Sequence, residues 1–278
     1  KYIKHTCYVY VTLSSKQNLQ TKSVATMLCQ NRLVPKEMTN KAHISNFLDK
    51  VNQFEAVLCE AGYTLCRLDA NHVLGTHEQA GLLQQYLSLH FDATPTCLAD
   101  MHVSEGDFMV GDNYVSAFSL HNLEQLPAQV HTHKLHSAYT HAPLPVSYVS
   151  AMGFALPFSH IYNQYFFFDN HNETLAAIEK CGREQQSLSA ISRQNAINKP
   201  FNDAYLNESI SKGRRSVRCA FNVMLWDTDY YALLKKNALV SAALAQTDAF
   251  VAKTEGIVPL LFWAGIPGAG AQYPAEMS

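Results

Sequence analysis

Charge is the first thing this sequence has little of. Asp, Glu, Lys and Arg make up only 16% of its 278 residues, against roughly 25% in an average globular protein. The 21 Lys+Arg and 23 Asp+Glu leave a formal charge of −2. A dedicated nucleic-acid binder carries a basic excess, and a disordered chain combines low hydrophobicity with high net charge. Neither description fits a near-neutral chain that is 47% hydrophobic. The seven cysteines are scattered and form no CxxC pair, so neither a zinc ribbon nor a thioredoxin-like site is indicated. A reduced cytoplasmic protein with buried thiols is the expectation.

Catalytic signatures are also missing. No Gly is followed by Lys, so the phosphate-cradling GxxxxGK[ST] loop is absent. There is no GxGxxG, no HExxH and no GxSxG. No catalytic, cofactor-binding or metal-ligating residue is therefore assigned. The 13 histidines crowd at His131, His133, His136 and His141, but no carboxylate or thiol lies within that run. A solvated loop is the expectation there, with a metal-dependent enzyme as the weaker alternative. Ala142 to Phe168 and Gly256 to Ala275 carry no charge at all. Prolines and polar residues interrupt both, which suits buried segments of a domain better than membrane spans.

What is present reads as alternating strands and helices. His5–Leu13 is rich in Tyr, Val and Thr and predicts a strand. Ser14–Thr39 reads as loop. From Lys41 to Ala61 apolar residues recur at helical period, ending at Gly62, and Tyr63–Leu68 reads as a returning strand. Gly81–Leu89 reads as a helix with Glu78 in its first turn. Asp107–Val110 and Tyr114–Leu120 flank a hairpin turn at Gly111-Asp112-Asn113. The polar stretch His121–His141 is the expected linker between a sub-domain of residues 1–140 and a second of residues 141–278. Beyond it, Ile161–Asp169 predicts a strand and Asn172 opens a helix reaching about Ile191. Pro200 is placed in the first turn of the next helix, which Gly213 stops. Ser216–Trp226 predicts a strand, Asp227 or Thr228 caps a helix from Asp229 to Ala245, and Ala249–Lys253 returns as a strand. The expected class is α+β: mixed or antiparallel sheets built from βαβ-like units, with helices packed on one face.

Two groups of residues are candidates for contact with a partner. Lys212, Arg214, Arg215 and Arg218 form the sharpest basic cluster, suited to an acidic partner or, with Lys199, to a nucleic-acid backbone. Phe262 and Trp263, with the uncharged stretch Ala142–Phe158, are candidates for apolar contact.

Several stretches resemble one family. They include Ser192-Arg193-Gln194-Asn195, Ile197-Asn198-Lys199, Tyr205-Leu206-Asn207-Glu208, Ser216-Val217-Arg218, and Phe221-Asn222-Val223-Met224 with Trp226. His160-Ile161-Tyr162-Asn163-Gln164-Tyr165 precedes them. Leu261-Phe262-Trp263-Ala264-Gly265-Ile266-Pro267-Gly268 and Pro274-Ala275-Glu276 follow, and Pro35-Lys36-Glu37 and Gly111-Asp112-Asn113 fit as well. Together they resemble the TraG family of conjugative-transposon ATPases, the energising ATPases of type IV secretion machines that move DNA between bacteria. The departures are Ala196, Phe201 and Ala220, where the family pattern has a polar residue, Trp and His.

The resemblance implies a piece of a longer protein: the region before a C-terminal RecA-like motor, with ATP and Mg bound only in that absent domain. It implies a non-catalytic assembly or docking role, with the alternative of a nucleic-acid-contacting module. The implied partners are the chain's own motor domain, inner-membrane subunits of the conjugation machine, and further copies in a homo-oligomer, with DNA contact open. The implied location is the bacterial cytoplasm, at the cytoplasmic face of the inner membrane.

Overall fold

A computed structural model describes residues 4–13, 40–92, 94, 97–104, 106–120, 133–135, 143–145, 156–188, 192–215, 217–246 and 251–274. Its centre is a six-stranded sheet. Strands β1 (Met101–Val103), β2 (Phe108–Val110) and β3 (Asn113–Ser119) form a meander. A small separate hairpin pairs β4 (His133–Leu135) with β5 (Pro143–Pro145). The sheet continues with β6 (His160–Phe167), β7 (Arg218–Asp227) and β8 (Lys253–Thr254). The order is β1-β2-β3-β7-β6, with β8 lying on β3 as well. Every pairing is antiparallel, and with the helices this makes an α+β fold.

The β2–β3 hairpin is the one expected. Val110 pairs with Asn113, so Gly111 and Asp112 make the turn, and Gly111 takes φ 58°, a left-handed conformation that glycine adopts without strain. The centre of the sheet is β7. Its Ala220, Met224 and Trp226 enter one core, and Phe221, Val223 and Leu225 enter another. A strand buried on both faces reads as a near-continuous apolar run rather than an alternating one, as Ala220–Trp226 does apart from Asn222.

The helices are α1 (Lys41–Glu60), α2 (Ala70–Leu74), α3 (Leu82–Ser88), α4 (His171–Leu188), α5 (Arg193–Lys212), α6 (Tyr230–Ala245) and α7 (Val258–Ala264). On one face of the sheet, Tyr86 of α3 and Val258, Leu261, Phe262 and Ala264 of α7 pack against β2, β3 and β7. On the other, Leu233, Val240, Ala243 and Leu244 of α6 pack against Phe118, Phe221, Val223 and Leu225. The sheet therefore carries helices on both faces, not on one, because β7 presents apolar side chains in both directions.

Several boundaries differ from expectation. Pro200 sits inside α5 rather than in its first turn. The helix begins earlier because the Ser192 hydroxyl accepts the Asn195 N–H and caps it there. Helix α6 starts at Tyr230, with Asp229 as the cap. Glu78 precedes α3, in a turn where the Thr76 hydroxyl accepts the N–H groups of Glu78 and Gln79. Residues 5–13 and 63–68 pair with no strand among the described residues, and apart from the half-buried Leu13 they are exposed. Their composition favours extended backbone, but a strand also needs a neighbouring edge, which composition does not supply. Helix α1 forms where expected, capped by Asn40, and buries no residue.

The expected boundary near residue 140 does not separate two sheets. Strand β3 lies before it and β7 after it, and they pair from Tyr114↔Asp227 to Ser119↔Asn222. The described cysteines are exposed rather than buried. Among the described residues, no helix is long and apolar enough to cross a membrane.

Candidate functional site

The basic cluster lies at the junction of α5 and β7. Gly213, at φ 61°, ends α5 in a left-handed turn, and the Ser209 hydroxyl donates to the Arg214 carbonyl, fixing the path of the chain. Lys212 and Arg214 converge on one carboxylate, with Glu208 accepting at 2.8 Å and 2.9 Å. These two cations, with the Lys212 hydrogen bond as the larger cause, hold the Glu208 carboxyl below its usual range. Arg218 binds Asp169 at 2.5 Å and lies over the Phe167 ring at 5.1 Å from its centroid. Lys199 is paired with Asp203 at 2.6 Å. Arg215 is exposed and has no acidic partner among the described residues. The cluster is thus largely neutralised by its own carboxylates, which reduces its pull on a phosphate backbone.

The apolar pair separates. Phe262 is fully buried, while Trp263 is 47% exposed. On a short helix, Val258, Leu261 and Phe262 share the face turned to the core, and Leu260 and Trp263 fall outside it. Phe262 is therefore unavailable to a partner, and Trp263 remains a surface candidate. Of the uncharged stretch beginning at Ala142, Leu156 is buried in the core and Phe158 packs beside it, and residues 146–155 lie outside the described residues. So do His131, His136 and His141 of the histidine-rich segment. Among the described residues no group of His, Cys, Asp or Glu could hold a metal ion.

A site not anticipated from composition crosses the middle of the sheet. Ser119 of β3 pairs with Asn222 of β7, which pairs with Asn163 of β6. Directly opposed antiparallel residues share a face, so the three polar side chains form a row on one side of the sheet. Asn163 Nδ2 donates to Asn222 Oδ1 at 3.0 Å, and Asn222 Nδ2 donates to the Tyr165 hydroxyl at 3.5 Å. The Ser119 and Tyr273 hydroxyls share a hydrogen bond of 2.8 Å. The rings of Tyr165 and Tyr273 lie 4.4 Å apart, just after the 3-10 turn Gly270–Gln272.

Above the row, the Tyr86 hydroxyl donates to the Phe262 carbonyl at 2.8 Å, tying α3 to α7. Gly265 closes this corner. A Cβ there would meet the Tyr86 hydroxyl at 2.3 Å and Asn163 Nδ2 at 3.0 Å, so the approach of α7 to the sheet depends on the missing side chain. Burial pushes the phenols of Tyr86, Tyr165 and Tyr273 upward. They stay neutral hydrogen-bonding groups at physiological pH, so the row is suited to holding strands and α7 together. A signal for it did exist in the sequence: Asn222 interrupts an otherwise apolar run, and Asn163 interrupts an aromatic strand.

Compared with known proteins, the chain matches no family model, and no curated protein matches it.

Proposed function

We propose that this chain is the region that precedes the motor of a TraG-like conjugation ATPase, and that it serves assembly and docking rather than catalysis. The observation that carries this reading is the convergence of the resembling stretches. Asn163 and Tyr165 come from the stretch His160–Tyr165, Asn222 from Phe221–Met224 and Gly265 from Leu261–Gly268, and they meet in the polar row and the corner above it. Stretches that are far apart in sequence but build one packed corner behave as parts of a single design, which supports reading them together as one resemblance. In this reading ATP and Mg belong to the domain that would follow, and the partners are that domain, the inner-membrane subunits and further copies of the chain at the cytoplasmic face of the membrane.

The test is nucleotide binding by the chain of residues 1 to 278, measured calorimetrically with ATP and Mg. No saturable binding is expected, and a saturable isotherm would sink the proposal. Sequence following Ser278 in the parent gene offers a second test. A GxxxxGK[ST] loop is expected there, and a coding sequence that continues without one counts against the motor.

The nucleic-acid reading draws support from Arg215 alone among the clustered cations, since Lys212, Arg214 and Arg218 have carboxylate partners. It predicts DNA binding that weakens steeply with salt.

A further inference from the structure

Strand β3 changes neighbour partway along its outer side. Asn113–Val115 pair with β2, and Ala117 and Phe118 pair with β8. Ser116 falls at the seam between them, while its pairing with Leu225 of β7 lies on the strand's other side. A cleft of about 40 Å³ opens at this seam. Phe108, Val115, Leu233 and Val258 give it buried apolar walls, and Ser116, 1% exposed, contributes a hydroxyl. Asp107 and Lys253, of opposite charge and nearer to solvent, line it as well.

Asn237 of α6 also lines the cleft. It is 8% exposed, and its Oδ1 is buried without a hydrogen-bond partner among the described residues. Buried polar atoms in native proteins are nearly always paired, and an orphan costs stability. The rest of this helix face is Leu233, Val240 and Leu244, so an aliphatic side chain would suit the position. An asparagine carried there against stability, beside a cleft, marks a place where function takes precedence over packing.

The surroundings define what the orphan needs. Oδ1 accepts, so the occupant brings an N–H or O–H donor. An ammonium or guanidinium at this depth would leave water for apolar walls, and Asp107, which could answer its charge, is exposed. A carboxamide is neutral, donates to Oδ1, and accepts in return from Asn237 Nδ2 or the Ser116 hydroxyl. The cleft admits about three water-sized groups, which suits a carboxamide and excludes a nucleotide. Nearer the mouth, Asp107 and Lys253 offer opposite charges to the rest of the ligand, as the two ends of a zwitterion require.

We propose that the cleft where β3 passes from β2 to β8 binds a small molecule ending in a neutral carboxamide, of the class of amide-bearing free amino acids, and that Asn237 is the residue that reads the amide. The proposal goes beyond the motor reading and does not depend on it. A cleft that binds no amide would leave that reading standing, and a parent without a phosphate loop would leave this one standing.

The experiment titrates the full chain with L-glutamine and with L-asparagine, followed by nitrogen–proton correlation NMR, with L-glutamate as the matched control. Saturable shifts are expected at the Asn237 side-chain amide and at the backbone of Ser116 and Thr254. L-glutamate puts a carboxylate where the amide would lie and brings no donor there, so it is expected to bind on the order of tenfold more weakly. Asn237→Leu is expected to fold at least as stably as the unaltered chain, so lost binding is not lost structure. It is expected to bind the amides on the order of tenfold more weakly and to lose the preference for L-glutamine over L-glutamate. Titrations in which neither amide saturates would show that water alone serves Asn237, and would overturn the proposal. So would L-glutamate binding as tightly as L-glutamine, or amide binding unchanged in Asn237→Leu.

Discussion

Lys236 does three things from one position on α6. Its ammonium pairs with Asp227 at 2.8 Å, donates to the Trp226 carbonyl at 2.7 Å and lies over the Phe158 ring at 5.3 Å from its centroid. The hydrogen bond from Lys236 is the main reason the Asp227 carboxyl sits below its usual range, helped by the Asp229 N–H. A carboxylate whose folded pKa is depressed stabilises the fold above its unfolded value of about 4, and that stability is lost as pH falls through the folded value. Lys236→Met should therefore cost about 1–3 kcal/mol near neutral pH. In urea titrations repeated down to about pH 2, the variant should lose less stability with acid than the unaltered chain. Asn237, one residue on, gives the opposite sign. Its Oδ1 is buried without a hydrogen-bond partner, on a helix face otherwise built from Leu233, Val240 and Leu244. Asn237→Leu should raise stability by about 1 kcal/mol in the same titration. Gly265→Ala should lower it by about 1–3 kcal/mol, because the new methyl group meets the Tyr86 hydroxyl and Asn163 together. None of the three could be ranked from sequence, since each depends on what lies opposite. The division between Phe262 and Trp263 was legible: the i, i+3, i+4 spacing of Val258, Leu261 and Phe262 already marks the buried face.

At the level of the element, what could be read was what is local. Helix α1, the β2–β3 hairpin, β6, β7 and the glycine stop of α5 follow from period, turn residues and caps, all contained within a few neighbouring positions. What failed was non-local. Residues 5–13 and 63–68 have the composition of strands, but no sequence window contains the edge a strand must join. That helices cover both faces of the sheet was half visible in the apolar run of β7, broken only at Asn222, which a one-sided sheet would have interrupted with a polar residue at every second position. Pro200 misled for a clear reason. Proline favours the first turn, yet the Ser192 cap starts α5 earlier and leaves Pro200 in the interior. There it removes an N–H donor and crowds the carbonyl of Ala196. Pro200→Ala should therefore increase helical circular dichroism and raise stability by about 1–3 kcal/mol. A loss of stability instead would show that the proline constrains the unfolded chain more than it disturbs the helix.

For the whole molecule, the arrangement of β6, α4, α5 and β7 sets how the protein answers a mechanical load. The two helices pack on each other, with Asn202 bound to Gln185 at 2.8 Å, and they leave the sheet from the adjoining ends of neighbouring strands. Phe167 and Arg218 are partners in the ladder. A force that draws α4 and α5 apart therefore acts at one end of the β6–β7 ladder. Hydrogen bonds loaded from one end give way in succession, like teeth of a zipper, whereas a pull along opposed strands would load them all in shear. The Arg218–Asp169 pair sits at the mouth of this zipper, and the arginine lies over Phe167 as well. A residue first singled out as a contact for phosphate thus acts as the clasp that must open before the sheet can be peeled. Pulling α4 and α5 apart in a single-molecule instrument should show stepwise yielding at low force, and Arg218→Ala should lower the force of the first step.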